Sequence, residues 1–329
     1  MFTVDTLPVA ILFCVLTMLG WGSWANTQKL AGKEKWPFEL FYWDYAIGVF
    51  LFSVVFAHTL GSTGSAGMAA QENLHASDWA HVLPAFLSGV IFNLSNILLV
   101  VGIAAAGMSV AFPVGVGLAL IIGTVKNYFQ TPKGNPVLLF AGVALILFAM
   151  MMSAKSHAML QQDRTAGKSR GVLFSVIAGC LMGWFYPLLM QPVSPDFHNV
   201  VPPALTPYVA LACFGAGVLV SNLLWNTIFM RAGGVGYRDY FRGRLRLHAI
   251  GILGGCIWMA ALSFNVIASG VAGPAISYAL GQGATLIAAL WGVFIWREFR
   301  GAPAGTNRFL ALMFGGYTLG LILIGAATQ

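Results

Sequence analysis

The chain has 329 residues, of which 58% are hydrophobic and 8% charged, and its formal net charge is +7. Soluble domains average about 45–50% apolar and about 25% charged residues, so this composition excludes a water-soluble fold. The basic excess is no nucleic-acid signal, because Lys and Arg sit in short loops between apolar runs, where they anchor topology.

Taken in chain order, runs of about 18 or more apolar residues predict ten membrane helices. They lie near 7–29, 37–60, 79–102, 106–129, 135–153, 171–191, 204–230, 247–268, 272–296 and 306–327. The first run is expected to be retained as a span: Asp5 stands where a signal peptide is basic, and Ser23-Trp24-Ala25 is a poor cleavage site. Cys14, Cys180, Cys213 and Cys256 fall inside apolar runs without CxxC or His spacing and read as small buried hydrophobes, with no metal site. The connections 102–106 and 268–272 are so short that their helices are expected to be antiparallel neighbours. Of 17 basic residues, 15 fall in loops after the first, fifth, seventh and ninth runs, Arg164 and Lys168 of the central linker among them. Only Lys126 and Lys133 lie on the opposite side, together with Asp5, Glu72, Asp78 and Asp196. Positive loops face the cytoplasm, so the expectation is a multi-pass protein of the cell inner (plasma) membrane with both termini on the non-cytoplasmic side.

The two halves repeat. Met18-Leu19-Gly20-Trp21 matches Leu181-Met182-Gly183-Trp184, and Gly89, Gly107, Gly115 and Gly117 meet Gly255, Gly273, Gly281 and Gly283 at one common offset. Phe140-Ala141-Gly142 likewise meets Phe314-Gly315-Gly316. A five-helix unit used twice must have opposite orientations in its two copies. The expected architecture is all-α: residues 1–153 form the first five-helix repeat, 154–170 a cytoplasmic linker and 171–329 the second repeat. Such inverted repeats serve alternating access around a midplane site.

Polar residues deep in spans are costly and therefore functional by default. Asp44, in Phe41-Tyr42-Trp43-Asp44-Tyr45, is the one acidic residue well inside a span and suits a proton site; the alternative is a pairing with Lys29 or Lys35. Glu39, one turn nearer the surface, is a second proton-coupling candidate with a solvated entry role. Asn93 and Asn96 share a helix face and offer amide donors and acceptors to a neutral polar solute, or hydrogen-bond between helices. Asn222 and Asn226 repeat the pattern on the seventh run, and Gln282 sits near the centre of the ninth. Trp21, Trp24, Trp184 and Tyr186 put flat rings on the leading helix of each half, suited to stacking on a planar heterocycle or a sugar face. Pro113 with Gly115 and Gly117, and Gly281 with Gly283, are hinge or close-packing positions. Gly316 and Gly320 form a GxxxG, a spacing that pairs spans in a homodimer and also recurs by chance in glycine-rich helices.

Catalytic groupings are missing from the sequence. His58, His75, His81, His157, His198 and His248 lie near helix ends or in loops and form no HExxH or Ser/His/Asp set. Gly167-Lys168-Ser169 ends like a phosphate loop, but Gln162 stands where GxxxxGK[ST] requires Gly. Neither an enzyme, a cofactor nor ATP-driven transport is expected.

The stretches Tyr42-Trp43-Asp44-Tyr45, Asn93-Leu94-Ser95, Gly107-Met108-Ser109-Val110, Ile122-Gly123-Thr124 and Asn127-Tyr128-Phe129 resemble the ureide permease family of the drug/metabolite transporter superfamily. The likeness covers the first half well and the second half mainly in layout. It implies a ten-helix, inverted-repeat, proton-coupled carrier importing ureides such as allantoin, or related oxo-purines and pyrimidines. Plant members have a longer central loop; this chain has only 154–170 there. Bacterial glucose/ribose and rhamnose–proton uptake branches look similar, so a sugar symporter is the alternative reading, and a small-molecule or multidrug exporter the second. The expected partners are the solute, a proton and the lipid bilayer, with no nucleic acid.

Overall fold

The computed structural model describes residues 1–160 and 168–328. The first span is two helices, α1 (Leu7–Ser23) and α2 (Ala25–Lys33), broken at Trp24. Pro8 lies in the first turn of α1, where a missing N–H costs nothing. At the break, Asn26 and Thr27 donate side-chain hydrogen bonds to the carbonyls of Ser23 and Trp24, at 2.9 and 2.6 Å. Then come α3 (Phe38–His58), the short α4 (Ala70–Ala76), α5 (Trp79–Ala106), α6 (Met108–Gln130) and α7 (Pro136–Leu160). The second half holds α8 (Lys168–Met190), α9 (Pro207–Ala232), the five-residue α10 (Tyr237–Phe241) and α11 (Leu245–Ala272). Last are α12 (Pro274–Gly281), α13 (Ala284–Leu290) with a π-helical turn at Trp291–Ile295, and α14 (Thr306–Ala326).

Ten of these segments, α1 with α2 and α12 through the π turn each counted once, are long and apolar enough to cross a membrane. The described residues contain no strand, only an isolated bridge between Val193 and Leu205. The chain is thus a multi-pass, all-helical membrane protein. Of the expected 154–170 linker, 154–160 continue α7 and 168–170 open α8; Gln162, Arg164 and Gly167 lie outside the described residues. The two short connections shrink to single glycines. Gly107 and Gly273 have φ of 81° and 86° and ψ of 158° and 149°, a region closed to residues with a Cβ.

The chain divides into two compact units, Met1–Asn93 with Leu188–Val271 and Leu94–Pro187 with Ala272–Gln329. Each therefore draws helices from both halves of the sequence. In the first unit α3 packs on α11 and α5 on α9 through glycines. A methyl group on Gly48 would collide with the Ile252 carbonyl, and one on Gly255 with the Tyr45 carbonyl. On the other seam, Gly217 meets the Phe86 carbonyl and Gly89 the Phe214 carbonyl in the same way. Away from these seams, buried Asn73 ties α4 to the connection before α9, donating to Ala204 O at 2.9 Å and accepting from Thr206 N at 2.7 Å.

In the second unit α7 packs on α14. A methyl on Gly142 would stand 2.6 Å from the Gly320 carbonyl, and one on Gly316 3.1 Å from Ala149 Cβ. The GxxxG face is therefore used within the chain, against α7, and not left open for a second copy. Gly123 of α6 lets the Tyr278 ring of α12 lie flat against the helix, and the Tyr278 hydroxyl donates to Ala119 O at 3.2 Å.

Candidate functional site

Asp44 lies about two turns into α3 and is 1% exposed. Its partners are neither Lys29 nor Lys35. Tyr240 of α10 donates to Oδ1 at 2.7 Å, and His248 of α11 places Nδ1 3.0 Å from both carboxylate oxygens. An ionised carboxylate only accepts, so with Asp44 ionised Nδ1 is the donor; with Asp44 protonated the carboxyl donates to Nδ1. The His248 ring meets Trp36 edge-on at 5.6 Å and Tyr240 at 4.7 Å. A methyl on Gly243 would lie 2.5 Å from both His248 Nε2 and the Trp36 ring, so the glycine is what lets both rings come this close to the backbone. Gly251, one turn past His248, lets α11 pass directly against Asp44. Burial and the neighbouring Asp44 carboxylate push the Tyr240 phenol above its ordinary value, which keeps it a donor. The helix carrying Tyr240 is tethered at its other end, where Tyr237 hydrogen-bonds Thr227 and packs on Trp43 at 5.7 Å.

The amides of the first unit surround α9. Asn226 donates to the Glu39 carbonyl at 2.8 Å, while the Glu39 side chain lies half-buried beside Gly233. Trp43 Nε1 donates to Met230 Sδ at 3.0 Å, completing the α3–α9 contact. Asn93 donates to Val218 O at 3.2 Å and to Ser221 Oγ at 2.9 Å. Among the described residues, the buried Oδ1 atoms of Asn93 and Asn226 and both polar side-chain atoms of Asn222 have no hydrogen-bond partner.

An aromatic cluster lies in the same unit. Trp21 stacks on Trp258 at 5.9 Å, Trp24 packs on Tyr45 at 4.9 Å, and Tyr45 reaches Trp258 at 6.4 Å. Phe92 sits 4.3 Å from Trp258. The Trp21 Nε1 and the hydroxyl of fully buried Tyr45 are also without a protein partner. Trp258 escaped the sequence reading, although it occupies the place of Phe92 at the very offset that pairs Gly89 with Gly255.

The second unit holds the remaining sequence-selected residues. Asn96 is buried, and fully buried Tyr186 packs on Tyr278 at 5.0 Å. Trp184 is 47% exposed and carries Lys126 Nζ 4.6 Å above its ring, a cation–π contact. Gln282 and Gly283 form the break between α12 and α13, with Gly281 just before it. Pro113, Gly115 and Gly117 leave α6 unbroken: Gly115 is filled by the Leu99 side chain, and Gly117 faces Leu147. Among the described residues no group of three or more His, Cys, Asp or Glu could hold a metal ion.

The ureide permease family model matches residues 41–170, the stretch that contains Asp44 and Asn93. The chain resembles the ureide permeases. Ureide permease 1 of Arabidopsis thaliana is 22% identical over 95% of this chain and 95% of its own length. Probable ureide permease A3 of Vigna unguiculata is 31% identical over 44% of this chain and 39% of its own. A solved crystal structure superposes over 95% of this chain and 96% of its own with a TM-score of 0.58 at 15% identity, a likeness of fold alone. The likeness to permeases, together with ten apolar helices, makes this ureide-permease-like chain a membrane transporter and not an enzyme.

Proposed function

We propose that the chain is a proton-coupled secondary transporter that imports a small neutral polar solute, a ureide or a related oxo-purine or oxo-pyrimidine. Asp44 carries the reading: a carboxylate sealed inside a membrane helix is costly and is kept where it handles ions or protons. The ureide class comes from the relatives' names and from chemistry. A ureide presents alternating N–H and C=O groups, and Trp21 Nε1, Tyr45 Oη, Asn93 Oδ1 and both polar atoms of Asn222 are buried groups that need such partners. On this reading Trp21, Trp24, Asn93, Asn222 and Asn226 are the solute-binding residues of the first unit, Asn96, Trp184, Tyr186 and Gln282 those of the second, and Glu39 serves proton entry.

Alternating access between two inverted repeats, residues 1–153 and 171–329, is the mechanism. Its support is the matched pair of seams: Gly48 and Gly217 stand at equivalent places, as do Gly89 and Gly255, and each meets an equivalent carbonyl. The paired turns at Gly107 and Gly273 add to it. The basic loops are assigned to the cytoplasm of a cell whose inner membrane holds the protein, with both termini outside.

The test uses proteoliposomes with an acidic exterior. Labelled allantoin should accumulate in them, and Asp44→Asn should abolish accumulation while sparing allantoin counterflow. Unchanged accumulation in the variant would sink the proton role, and a wild-type protein moving ribose but no ureide or nucleobase would sink the solute class.

A further inference from the structure

We propose that Asp44 and His248 act as one proton-handling pair, and that Tyr240 on α10 is a latch that holds this pair on the basic-loop side. The inference rests on the reading of Asp44 as the coupling site and extends it to two residues of the second half of the chain. Asp44 itself is 1% exposed, whereas the His248 side chain is 18% exposed. The imidazole therefore lies between the carboxylate and solvent, with Nδ1 on the carboxylate and Nε2 beside Gly243. Packing against Trp36 and Tyr240 fixes the ring plane, so its two nitrogens keep those two faces.

The proton bookkeeping closes on this geometry. Water gives a proton to Nε2 of the Nδ1–H ring as the Nδ1 proton passes to Asp44. In release, protonated Asp44 returns its proton to Nδ1 while the proton on Nε2 leaves to water, so one proton moves each way, no other bond changes, and the Nδ1–H ring is restored. That tautomer, donating to an ionised Asp44, fits the 3.0 Å separations between Nδ1 and both carboxylate oxygens. Tyr240 donates to the carboxylate and favours the same ionised state. When Asp44 is protonated, one acceptor lone pair is lost and the imidazole no longer faces an anion, so the Tyr240 bond weakens and α10 relies more on its Tyr237 contacts and on the packing of the Tyr240 ring.

Few other groups compete. From α9 the side chains meeting the first turns of α3 include Asn226, Phe229 and Met230, none of them titratable. Glu39 on α3 itself lies against Gly233, and Arg246 at the start of α11 pairs with Glu34 at 3.4 Å. The titratable partners of Asp44 are thus His248 and Tyr240.

The experiment compares Tyr240→Phe, His248→Gln and Asp44→Asn, in the full chain, by the pH profile of proton-driven allantoin accumulation, with counterflow as the control for folding. Both side chains stabilise the anionic carboxylate, so removing either lets the proton bind at higher pH. The profile should move upward by on the order of one pH unit, with counterflow retained. Profiles that overlay the wild type, while Asp44→Asn loses accumulation, overturn the pair and latch and leave the coupling site standing. Retained accumulation in Asp44→Asn overturns the coupling site itself. Should a variant lose counterflow, the infrared carbonyl band of protonated Asp44, assigned by its absence in Asp44→Asn, is titrated in the purified protein. An upward shift of its midpoint then sustains the proposal, and an unmoved midpoint overturns it.

Discussion

The seam between α3 and α11 and the seam between α5 and α9 share one backbone geometry and carry different side chains. Tyr45, Gly48 and Val49 on α3 correspond to Phe214, Gly217 and Val218 on α9, and Phe86, Gly89 and Phe92 on α5 to Ile252, Gly255 and Trp258 on α11. The polar chemistry does not follow. Asp44 corresponds to Cys213, His248 to Val82, Asn222 to Ser53 and Asn226 to Ala57. Charged and amide groups are thus gathered where α3 and α11 begin and α9 ends, at the side of the basic loops, while the opposite ends are mostly apolar. Close backbone approach is common to both seams; the side chains set them apart.

The largest expected effect tests the shared part. Gly255→Ala and Gly89→Ala should each lower thermal stability in detergent, by about 1–3 kcal/mol, because each methyl is driven into a main-chain carbonyl that cannot move alone. Losses of similar size sustain the equivalence; a large loss at one glycine and none at the other breaks it. Next comes the asymmetric part. Asn222→Val removes two buried polar atoms without protein partners among the described residues and should stabilise the fold by up to about 1–3 kcal/mol, read as a higher melting temperature, while lowering allantoin uptake. Ser53, its counterpart, already donates to Phe50 O at 2.7 Å, so Ser53→Ala should bring no such gain. The smallest effect belongs to Ser221→Ala, which removes one bond to Asn93 and leaves the other, to Val218 O; a loss of about 0.6 kcal/mol is expected in a denaturation series.

Much of the fold was legible because hydrocarbon leaves few choices: runs of apolar residues become spans, and the ten expected runs coincide with ten helical segments. Boundaries were softer. The break at Trp24 and the extension of α7 to Leu160 depend on local hydrogen bonds and packing that hydropathy does not register. Asp44 stood out by its depth, yet its partners did not, because Tyr240 and His248 are 196 and 204 residues away. His248 was set aside for lying near a helix end. The signal that would have found it is that α3 and α11 enter from the same basic side, so titratable residues in their first two turns stand at similar depth. Trp258 is signalled differently: the offset that pairs Gly89 with Gly255, carried three residues on, pairs Phe92 with Trp258.

The seams at Gly48 and Gly255 also bear on insulation. Where one main chain rests on another with no side chain between, neither water nor a lipid tail fits, and a file of water molecules cannot form past Asp44 along that contact. A carrier that stores a proton must keep it from slipping across unaccompanied. With Asp44 as the proposed proton site, the glycines beside it serve as the dielectric of a capacitor, letting charge collect on one plate while blocking conduction to the other.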